Sequence, residues 1–248
     1  MSLIPEIRKL TTPQDLFAAA AQEVVRCANE AVAQRGRFTI ALSGGSTPHN
    51  LYTLLAENAR TSLPWQQMFF FWGDERHVPP DDSDSNYRMA QEAMFSKTPV
   101  QPGNVFRMPT ENPDAAAVAK TYEQILRDFF ALQPGEFPRF DLILLGMGPD
   151  GHTASLFPET AALQEKSRLV VANRVEKLKT SRITFTLPVI NAARCVAFLV
   201  SGAEKAAVLR EVLEGNASAE KYPSKLVHPV DGKLIWFVDR AAASQLKD

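Results

Sequence analysis

The chain has 248 residues, of which 45% are hydrophobic, so a sizeable core can form and a disordered chain is excluded. Its 27 Lys and Arg residues nearly balance 28 Asp and Glu residues, giving a formal net charge of -1. This balance argues against nucleic-acid or anionic-membrane partners, which favour a basic excess, but it leaves room for a small anion held by a few cations.

Short apolar segments alternate with helical patterns along the chain. The predicted strands cover residues 38–42, 68–72, 140–145, 168–175, 182–186, 195–200 and 234–238, and the predicted helices cover 12–33, 48–59, 86–94, 113–132 and 202–214, with a terminal helix after the last strand. This alternation predicts an α/β fold with a parallel or mostly parallel sheet covered by helices on both faces. No linker divides the chain, so a single domain over residues 1–248 is expected.

No stretch approaches the roughly 18 apolar residues that a membrane span needs. Residues 1–10 carry Glu6, Arg8 and Lys9 and lack the apolar run of a signal peptide. Cys27 and Cys195 lie far apart between apolar neighbours, a pattern typical of buried thiols rather than a disulfide or a metal site. We therefore expect a cytoplasmic protein with no membrane partner.

Three predicted strands end in loops rich in Gly, Ser, Asp, Arg and His, at residues 43–47, 73–77 and 146–152. Ligands of open parallel sheets bind beyond the carboxyl ends of the strands. The three loops are therefore expected to converge on one pocket.

The first loop, Ser43-Gly44-Gly45-Ser46-Thr47, is followed by Pro48 at the predicted start of a helix. Its glycines allow close approach of a ligand, its hydroxyl groups can donate, and the free N–H groups of the helix start favour an anion. The loop is neither a Walker A motif nor a dinucleotide fingerprint, and an ordinary capped turn is the alternative interpretation.

The second loop places Asp74, Glu75, Arg76 and His77 directly after an apolar strand, which packing alone explains poorly. Arg76 could stabilise developing negative charge, because a guanidinium group stays protonated and offers fixed donors. Asp74 could contact a substrate or orient Arg76, and His77 is expected at the surface or behind the site. A solvated strand end with a local ion pair is the alternative.

The third loop, 146–152, ends in His152, with Asp150 two residues before it. A neutral imidazole beside a carboxylate is a suitable general base, and Asp150 could orient the ring. No Gly-x-Ser-x-Gly motif supplies a serine nucleophile, so water is the expected attacker. A structural histidine is the alternative interpretation.

The four histidines show no metal-binding spacing, so no metal and no cofactor are predicted, although Asp74, Asp150 and His152 could still assemble an ion site in space. Arg182 and Lys205 could supply further cations to an anion. Taken by themselves, both are more simply read as solvated charges.

Together these segments resemble the 6-phosphogluconolactonase family nearly end to end. The matching segments are 43–48, 73–76, 78–79, 85–86, 146–158, 182–184, 187–188, 191–194, 201–202 with Lys205, and 236–242. The resemblance implies a three-layer α/β/α sandwich that hydrolyses 6-phospho-D-glucono-1,5-lactone. It also implies that His152 is the base, with Asp150 beside it, and that the loop 43–47, Arg182 and Lys205 hold the phosphate. A small sugar phosphate is then the expected partner, and a monomer is favoured.

Glucosamine-6-phosphate deaminases belong to the same larger group and are the main alternative. By that resemblance they carry an acid five positions after the loop histidine, where this chain has Phe157, and an aromatic residue where it has Arg76. A phenylalanine cannot transfer a proton, so the lactonase interpretation is favoured. A sugar-phosphate sensor without catalysis is a third possibility, against which the presence of both Asp150 and His152 argues.

Overall fold

A computed structural model describes residues 4–58, 62–176 and 180–247. Its main sheet has six parallel strands in the order β1-β9-β8-β5-β2-β3. Numbered in chain order, they are β1 Glu6–Leu10, β2 Phe38–Leu42, β3 Met68–Trp72, β5 Leu142–Leu145, β8 Cys195–Val200 and β9 Lys233–Asp239. Helices flank this sheet, so the predicted α/β fold with a mostly parallel sheet is confirmed. The edge strand β1 was not predicted.

A second sheet of three antiparallel strands comprises β4 Asp74–Arg76, β6 Val170–Val175 and β7 Thr180–Phe185, in the order β4-β7-β6. The prediction of a loop over residues 73–77 is wrong in part, because β4 forms there by pairing with β7. Gly73 links the sheets: its N–H donates to the carbonyl of Leu42 at 2.9 Å, and its carbonyl accepts from the N–H of Phe185 at 2.8 Å.

The helices are α1 Pro13–Arg35, α2 Ser46–Asn58, α3 Asn86–Ala93, α4 Ala115–Phe130, α5 Leu187–Asn191 and α6 Ala206–Leu213. The helix predicted over 202–214 begins as a 3-10 turn at Ala203–Lys205, and the predicted terminal helix is a single 3-10 turn, Ala242–Gln245. The predicted end of the second helix, residue 59, lies outside the described residues. No helix in the described ranges has the length and apolarity needed to cross a membrane.

Local signals explain the bounds of α1. The Thr12 hydroxyl accepts from the N–H of Asp15 at 3.1 Å, and the Asp15 carboxylate accepts from the N–H of Thr12 at 3.0 Å. This capping box satisfies donors that the helix start would otherwise leave unpaired. Gly36 ends the helix at φ 72°, in the left-handed region that favours glycine.

Cys27 and Cys195 are free and buried, as predicted, but they are close in space. Their sulfur atoms and a carboxylate oxygen of Glu23 all lie within 4.8 Å of one another. Hydrogen bonding to Cys195 and burial raise the pKa of the Cys27 thiol, and both Arg8 and Arg26 pair with Glu23. A thiol with a raised pKa beside a carboxylate that two arginines already pair fits a packed polar cluster better than a cation site.

Tyr122, on α4, fastens the carboxyl end of β3, which runs into the loop before β4. Its hydroxyl accepts from the N–H of Trp72 at 2.9 Å and donates to the carbonyl of Phe106 at 3.0 Å, and the side chain is fully buried. The Tyr122 hydroxyl therefore connects α4 to the end of β3 and to the chain at Phe106.

We expect Tyr122→Phe to lower the free energy of unfolding by about 1–3 kcal/mol, because it leaves the buried N–H of Trp72 without an acceptor. Urea denaturation measures the change. Tyr87→Phe is the matched control, because the Tyr87 ring packs edge-on against Trp72 at 5.5 Å between centroids while its hydroxyl bonds to no described residue. Equal losses in both variants would contradict the assignment.

Candidate active site

The three predicted loops converge on one cavity of about 410 Å³ beyond the carboxyl ends of β2 and β5. Its lining includes Ser43 and Gly44 from the first loop, Asp74 and Arg76 from β4, the segment 146–150 with His152, and Arg182 from β7. The predicted convergence of these loops is therefore confirmed, and it follows from the parallel arrangement of the central strands.

The first loop is held by a buried tyrosine. The N–H of Ser43 donates to the Tyr52 hydroxyl at 2.9 Å, and that hydroxyl donates to the Ser43 carbonyl at 2.9 Å. The Oγ atom of Ser43 is buried with no hydrogen-bond partner. Gly45 has φ 104°, a conformation that favours glycine.

Beyond Gly44, the loop leaves the cavity wall. Gly45, Ser46 and Thr47 are not among the described residues that line it. Helix α2 begins at Ser46 rather than at the predicted Pro48, so Ser46 and Thr47 lie in its first turn and Gly45 directly precedes it. Their N–H groups keep the character of an anion-binding helix start, although no ligand contact tests that role.

Alternation along β4 separates the roles of its three residues. Asp74 and Arg76 face the cavity, whereas Glu75 is 2% exposed and points the other way. The Glu75 carboxylate accepts from the N–H groups of Arg76, Asn86 and Tyr87, each at 2.8 Å. Packing therefore does explain one of the four ionisable residues of this segment, because Glu75 holds the start of α3 against β4.

Arg76 and Arg182 occupy opposed positions of the β4–β7 ladder. Arg76 donates to the carbonyl of Asp84 at 2.5 Å, and the buried Nε of Arg182 has no hydrogen-bond partner among the described residues. Burial and the nearby charge of Arg76 lower the pKa of Arg182. Two opposed guanidinium groups that line a cavity have the charge and the donors that suit an anion.

Asp74 does not brace Arg76. In the described part of the chain no ion pair joins them, and the Asp74 carboxylate accepts instead from the Ser155 hydroxyl at 2.6 Å. Asp74 is 8% exposed and lines the cavity, so its contact with Ser155 connects the second loop to the third.

His152 is oriented on two sides. Its Nδ1 lies 2.5 Å from a carboxylate oxygen of Asp150, and its ring stacks on Phe157 with 4.0 Å between centroids. A carboxylate can only accept here, so Nδ1 carries a proton and donates it, which leaves Nε2 as the basic nitrogen. The side chain is 24% exposed, so this nitrogen can be reached from the cavity.

The backbone of the third loop is shaped around the imidazole. The N–H of Gly148 donates to the His152 carbonyl at 2.8 Å. A Cβ atom on Gly148 would lie 2.1 Å from Cε1 and Nδ1 of His152, so only glycine leaves room for the ring. The N–H and hydroxyl of Ser224 both donate to the Gly151 carbonyl at 2.9 Å. The chain between α6 and β9, which contains Ser224, therefore supports the third loop.

Lys205 lies apart from the other predicted residues. It stands at the end of the 3-10 turn after β8 and is not among the described residues that line the cavity. Its ammonium group has no partner in the described ranges. Strand β8 pairs with β5, so the turn lies at the same edge of the sheet as the third loop.

His77 also lies outside the cavity lining. Its Nε2 is 2.8 Å from the carbonyl of Asn112, in agreement with the predicted peripheral position. Asp74, Asp150 and His152 do not form a metal cluster within the described residues, where Glu23, Cys27 and Cys195 are the group at ligand distance.

Two polar residues of the cavity lining, Asn86 and Ser155, were not among the predicted site residues. Both fall inside segments that carry the family resemblance, which is the signal that could have identified them. Periodicity could not, since Asn86 reads as the start of a helix and Ser155 as part of a loop.

We expect Glu75→Gln to lower the free energy of unfolding by about 1–3 kcal/mol near neutral pH, because an amide NH₂ would face donors that now bind a carboxylate oxygen. Urea denaturation measures the change. Glu57→Gln on the exposed face of α2 is the control. Unchanged stability of Glu75→Gln would contradict the proposed anchoring of α3.

The same variant alters the pH dependence of stability. Burial raises the pKa of Glu75 above the ordinary value of 4.5, so the folded state holds this proton more tightly than the unfolded state. Protonation of Glu75 therefore adds to the free energy of unfolding of the wild type at low pH, and this contribution is lost as the pH rises from 4.5 through the pKa of the folded state. Glu75→Gln has no ionisable group at this position and lacks the contribution.

The chain is similar to known proteins over almost its whole length. A family model described as glucosamine-6-phosphate isomerases/6-phosphogluconolactonase matches residues 11–236. A protein of Synechocystis sp. named 6-phosphogluconolactonase is 44% identical over 245 residues, which cover 99% of this chain and 100% of that protein. A protein of Nostoc sp. with the same name is 46% identical over 231 residues, covering 93% and 94%.

The fold agrees as well. The solved structure of 6-phosphogluconolactonase from Trypanosoma cruzi superposes with a TM-score of 0.89 at 30% identity, covering 100% of this chain and 99% of that one. The match thus spans both sheets and all three loops of the cavity. The chain belongs to the 6-phosphogluconolactonase family, within the group of sugar-phosphate enzymes that the matching model describes.

Proposed function

We propose that this protein hydrolyses 6-phospho-D-glucono-1,5-lactone to 6-phospho-D-gluconate, the second step of the oxidative pentose phosphate pathway, with His152 as general base. One observation carries the proposal: the cavity that holds the Asp150-oriented imidazole also holds the opposed guanidinium groups of Arg76 and Arg182. The names of the close relatives specify the phosphorylated lactone.

In the first step, Nε2 of His152 removes a proton from a water molecule, and the resulting hydroxide attacks the lactone carbonyl. Asp150 holds Nδ1–H and stabilises the imidazolium that forms. Phe157 covers one face of the ring, so the positive charge of the imidazolium faces Asp150 and the cavity.

Attack places negative charge on the carbonyl oxygen, and Arg76 is assigned to this oxyanion because a fixed guanidinium donor needs little reorganisation. Protonated His152 then gives its proton to the ring oxygen as the bond from the carbonyl carbon to that oxygen breaks. The product is the open-chain acid. Water is the only co-reactant.

The phosphate is assigned to Arg182 with the loop Ser43-Gly44-Gly45-Ser46-Thr47. Charge-assisted contacts contribute about 1.5–3 kcal/mol each and determine which end of the sugar faces the imidazole. Lys205 is assigned to the same phosphate from outside the cavity wall, because its ammonium group has no partner among the described residues and lies after the strand next to β5. Asp74 contacts Ser155 on the wall and is assigned to substrate positioning.

The alternatives are less well supported. A deaminase would need a proton-transferring acid at position 157, where the Phe157 ring lies against His152. A sensor without catalysis would not need the short contact between His152 and Asp150. A monomer and a cytoplasmic location remain predictions.

We expect His152→Ala to lower kcat by about 10²–10⁴-fold, the usual contribution of general base catalysis. The lactone is generated with a glucose-6-phosphate dehydrogenase, and its loss is followed by NMR above spontaneous hydrolysis. A chelator is expected to leave the wild-type rate unchanged.

His228→Ala, which removes an exposed histidine outside the cavity lining, is the matched control. Wild-type turnover by His152→Ala would refute the base assignment. Release of ammonia from glucosamine 6-phosphate by the wild type would favour the deaminase, and tight binding of the phosphosugar without turnover would favour the sensor.

The two arginines are expected to differ in their effects. Arg182→Met should raise KM for the phosphorylated lactone by roughly 10- to 100-fold and leave unphosphorylated glucono-1,5-lactone nearly unaffected. Arg76→Met should lower kcat for both lactones, because the oxyanion forms in both.

Steady-state kinetics on the two substrates separates these effects, with Arg210→Met on the exposed face of α6 as the control. Equal effects of Arg182→Met on both lactones would overturn its assignment to the phosphate.

A further inference from the structure

Asn86 is a buried cavity residue with no role in the mechanism above. It is the first residue of α3 and is 1% exposed. Its Nδ2 donates to the carbonyl of Asp74 at 3.0 Å, whereas its Oδ1 is buried with no hydrogen-bond partner. One half of the amide is thus tied to β4, and the other half is unsatisfied.

The contact with Asp74 determines which way the amide points. Rotating the amide by half a turn would place Oδ1 against the Asp74 carbonyl, so two acceptors would face each other. The observed orientation is therefore the favourable one, and it leaves an oxygen rather than an NH₂ group as the unsatisfied atom.

This oxygen lies against the first loop. A Cβ atom added to Gly44 would be 1.9 Å from Oδ1, so the amide fills the space that a side chain at position 44 would need. Both residues line the cavity. The Asn86 side chain, with its unsatisfied oxygen against Gly44, is therefore part of the wall of the pocket proposed to bind the sugar phosphate.

The chemistry of the atom limits what can satisfy it. An amide oxygen accepts hydrogen bonds and donates none, and leaving a buried acceptor unmade is costly. At neutral pH the phosphate oxygens and the lactone carbonyl are acceptors too. The hydroxyl groups on C2, C3 and C4 of the sugar ring are the donors that the substrate offers.

We propose that Oδ1 of Asn86 accepts a hydrogen bond from one ring hydroxyl of the phosphorylated lactone, which makes Asn86 a specificity-determining residue. The assignment rests on the proposed function. Different residues of the cavity then recognise different parts of the substrate: the cations bind its phosphate, and the neutral oxygen of Asn86 binds a ring hydroxyl. A site that must bond a hydroxyl group discriminates strongly against an analogue that lacks it.

The test compares kcat/KM for the full lactone with kcat/KM for three 6-phosphorylated analogues, each lacking one hydroxyl at C2, C3 or C4. For the wild type, one analogue should be poorer by about 5- to 100-fold. In Asn86→Ala the ratio of full lactone to that analogue should fall to about 1. The ratio is independent of the fraction of folded enzyme, and Asn86→Ser is a second variant with the same expectation.

A control variant separates this effect from the loss of a buried amide elsewhere in the molecule. Asn104→Ala is the matched control, since Asn104 is a buried asparagine whose Nδ2 donates to the Gln66 carbonyl at 3.1 Å, away from the cavity lining.

An unchanged ratio for all three analogues, with a uniformly lower rate in Asn86→Ala, would show that Asn86 only holds the Asp74 backbone and would overturn the proposal. Failure of the wild type to hydrolyse the full lactone would instead refute the proposed function, and the hydroxyl assignment with it.

Discussion

The antiparallel pairing of β4 with β7 sets Arg76 directly opposite Arg182. Like charges at opposed positions of a ladder repel each other, and burial adds a desolvation cost that lowers the pKa of Arg182. In the proposed function the phosphate of the substrate offsets this repulsion. The same strand turns Glu75 away from the cavity, where backbone N–H groups bind it, so the two residues that line the cavity alternate with one that supports α3.

Unsatisfied polar atoms also concentrate in the cavity. In the described ranges, the buried side-chain atoms without a hydrogen-bond partner are Ser43 Oγ, Asn86 Oδ1, Arg182 Nε, Arg194 Nε and the indole nitrogens of Trp72 and Trp236. The first three line the cavity. Buried polar groups are usually bonded, so a hydroxyl group, an acceptor and a cationic donor left open in one pocket indicate the kind of ligand that completes it. In the proposed function, the phosphorylated substrate supplies a partner for each.

The imidazole shows how support and reactivity are combined. Asp150 binds one nitrogen of His152, Phe157 covers a ring face, and Gly148 leaves the space that the ring occupies. Residues far away in the chain support the loop: Ser224 donates to the Gly151 carbonyl, and Asp74 accepts from the Ser155 hydroxyl. In the proposed mechanism, a base held on several sides loses little entropy when the substrate arrives, and an ester already prone to hydrolysis needs little more than this.

Local patterns in the sequence determined the alternation of strands and helices, and hence the parallel sheet and the convergence of its loops. Convergence brought His152, Asp150, Asp74, Arg76, Ser43 and Gly44 into one cavity, as expected from where the strands end. Tertiary structure alone decided that Asp74–Arg76 is a strand, since three residues are too few to show a period of two and β4 exists only through its partner. It likewise decided that Glu75 holds the start of α3, that Lys205 lies outside the cavity lining, and that the buried amide oxygen of Asn86 has no partner among the described residues. These are matters of register and of which buried group finds a partner, and both depend on residues far apart in the chain, which no local pattern encodes.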